Sequence, residues 1–202
     1  MKKIMLFTAV LLFALLQTAV AGYGPAGNEP DSVYLFSYAT TKNKGKDGLH
    51  FAWSRDRQIW FTIGDEYSFL RCDYGRWGSE KRVVSPYLLQ DNDGLWHCIW
   101  QLNEREPFFA HASSANLVDW GRQSYPSAGK TNCLRPVVQY DRSKGYYTIT
   151  YADSTGRYYL LTTKDFATYS PASETGPASY AEAGFSIGLP GGQVSGQAHR
   201  VA

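Results

Sequence analysis

The chain has 202 residues, with 20 Lys and Arg against 18 Asp and Glu, so its formal net charge is +2. A near-neutral chain with scattered basic residues gives no indication of a nucleic-acid partner. The composition is rich in aromatic residues, with 15 Tyr, 10 Phe and 6 Trp beside 19 Gly, and this is typical of an all-β protein with glycine-containing turns.

The N-terminus has the pattern of a secretory signal peptide. Lys2 and Lys3 precede an apolar stretch at 4–16, and small residues follow at 19–21. The apolar stretch is too short to span a membrane, and no other long apolar run exists. We therefore expect a signal peptide over 1–21 with cleavage near Ala21, no membrane span, and a secreted or periplasmic location.

The first predicted strands follow a Gly- and Pro-rich lead-in at 22–32. Strands at 33–39 and 49–54 are predicted to form a hairpin around a basic loop, and a third strand is predicted near 59–63. The alternation of apolar and aromatic residues with short polar loops favours a β structure, and no helical periodicity is present.

Two further groups of predicted strands follow along the chain. The second group has strands at 83–89, 95–100 and 108–112, and the third has strands at 134–140, 146–152 and 158–162. After residue 171 the chain is rich in Ala, Ser, Gly and Pro and has poor strand signals. We expect 33–171 to form the folded repeats and 172–202 to be a truncated tail.

A short motif follows the last main strand of each group. It consists of a hydroxyl residue, any residue, Asp or Asn, three residues and an aromatic residue; its copies are Ser54-Arg55-Asp56 with Trp60, Ser114-Ala115-Asn116 with Trp120, and Thr163-Lys164-Asp165 with Tyr169. Repeated strand-rich units of this length predict β-propeller blades. The hydroxyl and carboxylate types favour a structural role in a turn.

Three blades are too few to close a propeller, because natural closures start at about four blades. The sequence therefore predicts an all-β, partial propeller of about three blades. A piece of a longer protein is the simplest explanation. An open array that associates with another chain through unpaired blade edges is an alternative.

The three blade segments resemble glycoside hydrolase family 43 over roughly 34–171. The residues that carry this resemblance are 48–56, 116–120, 132–136 and 163–169. Members of this family are five-bladed propellers that act as arabinosidases and xylosidases. The resemblance implies an exported inverting glycosidase that acts on arabinose- or xylose-containing polysaccharide.

The resemblance also implies three carboxylates, and this chain departs from that pattern. Ser85 stands at the position of the base, and Val137 stands at the position of the carboxylate that tunes the acid. Neither side chain can act in acid–base catalysis at ordinary pH. Glu80 is a weak catalytic candidate, and Glu174 and Glu182 follow the third motif outside any strand-like context.

Several polar and aromatic residues near predicted strand ends are candidates for binding a sugar. They are Trp77, Arg82, Ser85, Trp100, Asn132 and Arg135. His97 and His111 are interpreted as packed strand residues. The cysteines Cys72, Cys98 and Cys133 lack metal-ligand spacing, and their odd number leaves at least one thiol unpaired. We expect no metal and no cofactor.

The sequence leaves several functions open. One hypothesis is a glycosidase. The alternative is a non-catalytic glycan-binding propeller derived from such an enzyme, because Ser85 and Val137 stand at carboxylate positions of the family. A partner-binding protein with open blade edges is a third. A sialidase fits the turn motifs but lacks an evident basic cluster for an acidic sugar. The expected partner is a carbohydrate.

Overall fold

A computed structural model describes residues 32–40, 42–65, 67–76, 81–129, 131–177, 184–190 and 192–201. The predicted signal peptide, Trp77, Glu80 and Glu182 lie outside the described residues. Within them the chain forms β-strands and no α-helix, which confirms the all-β prediction. No helix in the described part is long and apolar enough to cross a membrane.

The described strands form three antiparallel sheets. The first sheet, in the order β11-β12-β1-β2-β3, contains β1 (Val33–Ala39), β2 (Leu49–Ser54), β3 (Phe61–Ile63), β11 (Phe185–Leu189) and β12 (Gly192–Val201). The second contains β4 (Val84–Gln90), β5 (Trp96–Gln101) and β6 (Phe109–Ser114). The third, in the order β10-β9-β8-β7, contains β7 (Leu134–Asp141), β8 (Tyr146–Ala152), β9 (Tyr158–Thr163) and β10 (Ser173–Thr175). We call these sheets blades 1, 2 and 3.

The turn motifs establish which strands are equivalent. Ser54, Ser114 and Thr163 end β2, β6 and β9 and pair with the neighbouring strands β1, β5 and β8. The inner strands β4 and β7 precede β5 and β8, whereas β1 has no such strand before it among the described residues. The strand β12 pairs with β1 and occupies that inner place in blade 1. It also contacts β4, just as β4 contacts β7.

The strand β12 lies where the sequence showed poor strand signals. Most of its residues are small or polar and have weak strand propensity. The strand therefore forms because it pairs with β1, which is distant in sequence. Gly196 shows why small residues are needed, because a Cβ atom there would overlap the carbonyl oxygen of Ser37 and lie 2.9 Å from the Phe36 ring. Tertiary contacts therefore override the weak local preference of this segment.

The apolar core lies in the spaces between the sheets. One cluster joins blades 1 and 2 around Phe51, Leu88 and Trp100, and another joins blades 2 and 3 around Phe109 and Tyr151. A third covers the other face of blade 1, where Ile187 of β11 packs with Phe36 and Trp60. Ten Phe, Tyr and Trp side chains of the described residues are buried in these clusters, and all three cysteines are free and buried.

The side chains of the turn motifs accept hydrogen bonds from backbone amides of the same turns. Ser54 Oγ accepts hydrogen bonds from the amides of Asp56 and Arg57, and Asp56 Oδ1 accepts them from Gln58 and Ile59 at 2.8 and 3.0 Å. All four bonds recur in blade 3, and blade 2 has the equivalents of three of them. The motif side chains are therefore engaged within the turns, in agreement with a structural role.

Candidate functional site

Two of the sequence-predicted site residues lie at equivalent positions. Ser85 and Arg135 each precede a proline at a β-bulge near the start of an inner strand, with φ of 47° and 50°. The Arg135 amide donates a hydrogen bond to Gln101 Oε1 of blade 2 at 2.9 Å. Ser85 is half-buried and Arg135 is exposed. Positive φ is uncommon in non-glycine residues, and here it occurs both at these bulges and at Arg57, Leu117 and Phe166 in the turn motifs.

Two other predicted residues lie in the interior of the protein. Val137 is 0% exposed and pairs with Thr150 in blade 3, so it has no surface to offer a substrate. Trp100 is also 0% exposed and packs between blades 1 and 2 instead of at a sugar-binding surface. The reason is that both strands are covered on their two faces there, because all six residues of β5 are buried and so are three consecutive residues of β7 around Val137.

The remaining predicted residues are dispersed. Asn132 Nδ2 donates to the carbonyl of Glu104 at 2.8 Å, and its Oδ1 accepts from the Ser154 amide at 3.1 Å, so the side chain joins two loops. Arg82 is half-buried just before β4. Glu174 lies on the outermost strand of blade 3, 4.0 Å from Arg157, and is well exposed. The predicted residues that the structure describes therefore do not form one site.

A cleft in blade 1 gathers polar side chains that the sequence did not bring together. It has a volume of about 700 Å³ and lies between the end of β1, the start of β2, the loop that joins them, β3 with the segment after it, and the facing ends of β11 and β12. We call it the blade 1 cleft; its lining residues are Tyr38, Thr40, Asn43, Asp47, His50, Thr62, Asp65, Arg71, Leu189, Pro190, Gly192, Gln193 and Val194. Its volume is within the range of small-ligand sites.

The cleft lies at the same end of its blade as the two bulges do in theirs. Ala39 pairs with Leu49 at this end of blade 1, and Gln101 pairs with Phe109 at the equivalent place in blade 2. Gln101 in turn pairs with Val84, next to the Ser85 bulge. The register therefore assigns the cleft, Ser85 and Arg135 to equivalent ends of the three blades.

The carboxylate of Asp47 is positioned by its own loop. Thr40 Oγ1 donates to one oxygen at 3.1 Å, and Asn43 Nδ2 donates to the other at 2.9 Å. The loop is held tightly, because the Val83 amide donates to the Gly45 carbonyl at 2.9 Å and no side chain would fit at Gly48 against the Leu70 carbonyl.

His50 and Tyr38 form the buried wall of the cleft. Their rings stack with centroids 5.6 Å apart and an interplanar angle of 28°. Burial lowers the pKa of His50, so the imidazole is neutral at pH 7. Its Nε2 atom is buried and has no hydrogen-bond partner among the described residues. Such an atom is uncommon in a folded protein, where buried polar groups are nearly always paired.

The chemistry of the lining suits an uncharged, hydroxyl-rich ligand. Hydroxyl and amide groups from Thr40, Thr62 and Gln193 stand beside the carboxylates of Asp47 and Asp65 and the guanidinium of Arg71. Such mixed donors and acceptors match sugar hydroxyls, which both donate and accept. In the described part of the chain, no group of three or more His, Cys, Asp or Glu side chains could hold a metal ion.

Comparison with known proteins gave structural likenesses only. No family model and no curated protein matches the chain. An N-acetylgalactosamine deacetylase from F. plautii, in complex with blood group B trisaccharide, aligns with 11% identity and a TM-score of 0.41, over 86% of this chain and 59% of its own. A fucose lectin from Kordia zhangzhouensis, in complex with methyl-fucoside, aligns with 8% identity and a TM-score of 0.37, over 71% of this chain and 90% of its own.

Both solved structures are of carbohydrate-active proteins, and this chain spans less than two thirds of the deacetylase. At these TM-scores neither likeness defines the fold or the function of the chain. The resemblance to glycoside hydrolase family 43 has no matching family model and stays a prediction.

Proposed function

We propose that this protein is an exported glycan-binding protein that holds a neutral sugar unit in the blade 1 cleft. The observation that carries the proposal is the lining of that cleft, where a positioned carboxylate, a neutral imidazole and several hydroxyl and amide groups converge. Sites of this kind use a few placed polar groups to orient a small ligand.

Binding without hydrolysis is the better supported form of this function. Inverting hydrolysis requires two carboxyl groups that flank the scissile bond with room for a water molecule. Ser85 has no carboxyl group, and Val137 has neither a carboxyl group nor exposed surface. The two positions that the family resemblance identifies therefore supply no acid–base chemistry.

Isothermal titration calorimetry with arabinan- and xylan-derived oligosaccharides tests this proposal. We expect saturable binding without release of reducing sugar, and weaker binding by Asp47→Asn, which removes the charge that the loop positions. Lys164→Ala, which changes an exposed turn residue of blade 3, is the matched control and should bind as the wild type does. Absence of binding to every oligosaccharide would count against glycan recognition.

Hydrolysis of arabinose- or xylose-containing polysaccharide is the second candidate. It is favoured by one observation, namely that two carboxylates, Asp47 and Asp65, line the same cleft. A sustained release of reducing sugar from arabinan or xylan that disappears in both Asp47→Asn and Asp65→Asn would establish it. Turnover that survives both substitutions would exclude this pair as the catalytic groups.

The proposed export rests on the N-terminal sequence. Expression of the full chain in a bacterium with a secretory pathway should yield a mature protein that begins near Gly22. Mass spectrometry of the exported protein measures this directly, and retention of an intact N-terminus inside the cell would contradict it.

A further inference from the structure

His50 is a cleft residue whose hydrogen bonding is incomplete. The residue is 4% exposed, and its Nε2 atom has no partner among the described residues although the ring lines the cleft. A buried polar atom without a partner costs stability, because its hydration is lost on folding and nothing replaces it. The fold therefore carries an unfavourable feature at the place where a ligand would sit.

The surroundings of His50 indicate which ligand group would complete it. One side of the imidazole is covered by the Tyr38 ring. The oxygens of Asp47 are already engaged by Thr40 and Asn43, and Arg71 contributes a cationic group to the same lining. A neutral imidazole in a lining with two carboxylates and one guanidinium favours a neutral hydroxyl, because an anionic ligand would meet the net negative charge and an apolar one would leave the nitrogen unpaired.

A ligand hydroxyl at Nε2 would displace no protein partner, because this atom makes no hydrogen bond among the described residues. The torsion that turns an imidazole ring has a broad energy profile, so the ring can adjust to a ligand within the limits set by the backbone groups of Tyr67 and Asp47 that interact with it.

We propose that His50 determines the specificity of the blade 1 cleft by hydrogen-bonding a hydroxyl group of a neutral sugar unit through its unpaired nitrogen. This inference rests on glycan binding by the cleft. It adds that His50 contributes to binding at the expense of fold stability, so the two properties change in opposite directions when the nitrogen is removed.

The test compares three variants of the full-length mature protein. His50→Phe keeps a stacking ring and removes the nitrogen atoms, His50→Gln keeps a hydrogen-bonding side chain, and Ser68→Ala removes a buried hydroxyl that also lacks a partner but does not line the cleft. The melting temperature and the affinity for xylotriose and arabinotriose are measured for each.

His50→Phe should melt at or above the temperature of the wild type and lose at least tenfold in affinity for the trisaccharide that the wild type binds. His50→Gln should retain more affinity than His50→Phe. Ser68→Ala should melt like the wild type or higher, with unchanged affinity.

The outcomes separate this inference from the proposed function. If the wild type binds a trisaccharide and a folded His50→Phe binds it equally well, the role of His50 is overturned while glycan binding stands. If the wild type binds neither trisaccharide, both fail. Should His50→Phe not fold, the imidazole resonances of the wild type decide: a ligand-induced shift at His50 that exceeds those at His97 and His111 supports the proposal, and no shift overturns it.

Discussion

At the scale of single residues, two buried histidines of blade 2 are hydrogen-bonded to each other and stack on a ring of blade 3. His97 Nδ1 lies 3.1 Å from His111 Nε2, and His97 Nε2 lies 3.3 Å from an Asp91 oxygen, so three polar side chains form a hydrogen-bonded chain. The Phe166 ring stacks on both imidazoles with centroids 4.2 and 4.3 Å away. Phe166 belongs to the turn of blade 3, so its stacking on the two histidines links blades 2 and 3.

The first prediction concerns the pH dependence of stability. Burial lowers the pKa of His111 to about 3, with a contribution from nearby His97, and burial lowers that of His199 to about 4. Burial also lowers the pKa of His97. Because the unfolded chain binds protons near pH 6.5 and the folded chain does not, stability is full above about 6.5 and falls on acidification.

Urea denaturation at pH 7.5 and pH 5 measures this effect. The expected slope is at most about 1.4 kcal/mol per pH unit for each histidine. His111→Gln should flatten the dependence, whereas Arg142→Gln, an exposed change in blade 3, should leave it as in the wild type. A stability that is constant between pH 7.5 and 5 would contradict the prediction.

The second prediction concerns the glycine at the centre of β12. In Gly196→Ala the new methyl group overlaps the Ser37 carbonyl and crowds the Phe36 ring, so we expect destabilisation of about 3 kcal/mol. Gly188→Ala, in the neighbouring strand β11, is the matched control because its Cβ would meet no atom within 4 Å. Guanidinium denaturation of both variants compares them, and equal free energies of unfolding would argue against the close approach.

At the scale of elements, the turn after each blade is built from its own side chains. In blade 3, Thr163 Oγ1 accepts from the Phe166 amide at 2.9 Å, and Asp165 Oδ1 accepts from the Ala167 and Thr168 amides at 2.9 Å. These backbone donors lower the pKa of Asp165. The motif residue types were sufficient to predict this turn, because short hydroxyl and carboxylate side chains reach nearby amides wherever they occur.

The third prediction concerns this turn. Asp165→Ala leaves the two amides without their acceptor and should lower the free energy of unfolding. Lys164→Ala, one residue earlier and exposed, should change the free energy of unfolding by less than about 0.5 kcal/mol. The midpoints of urea denaturation compare the two variants. Indistinguishable midpoints would mean that the hydrogen bonds of the turn do not contribute to the free energy of unfolding.

At the scale of the whole molecule, the described strands join the two ends of the folded region. The pairing of β12 with β1 connects Val201 to Val33 and Arg200 to Tyr34. The Leu88 amide of blade 2 donates to Gln197 Oε1 at 3.2 Å, which ties the same strand to the next blade. The sequence predicts a tail with poor strand signals at 172–202, whereas the structure uses 192–201 as the inner strand of blade 1.

The fourth prediction tests this pairing. Ala198 pairs with Phe36 of β1, and a proline within a paired strand removes a backbone donor, fixes φ and is tolerated only at edges and bulges. Ala198→Pro should therefore destabilise the protein by about 3 kcal/mol or more, whereas Ala198→Ser keeps the amide and should cost much less. Thermal unfolding followed by circular dichroism compares the two variants. Similar melting temperatures would contradict the role of β12 as the inner strand of blade 1.

The sequence by itself determined the all-β class, most strands of the three blades and the turn motifs. These features depend on alternation, residue type and short-range hydrogen bonds, which can be read along the chain. Only the tertiary structure decided that Trp100 and Val137 are core residues, that β12 completes blade 1, and that His50 and Asp47 share a cleft with Gln193. Those outcomes depend on contacts between segments far apart in sequence, and local propensity carries no information about such contacts.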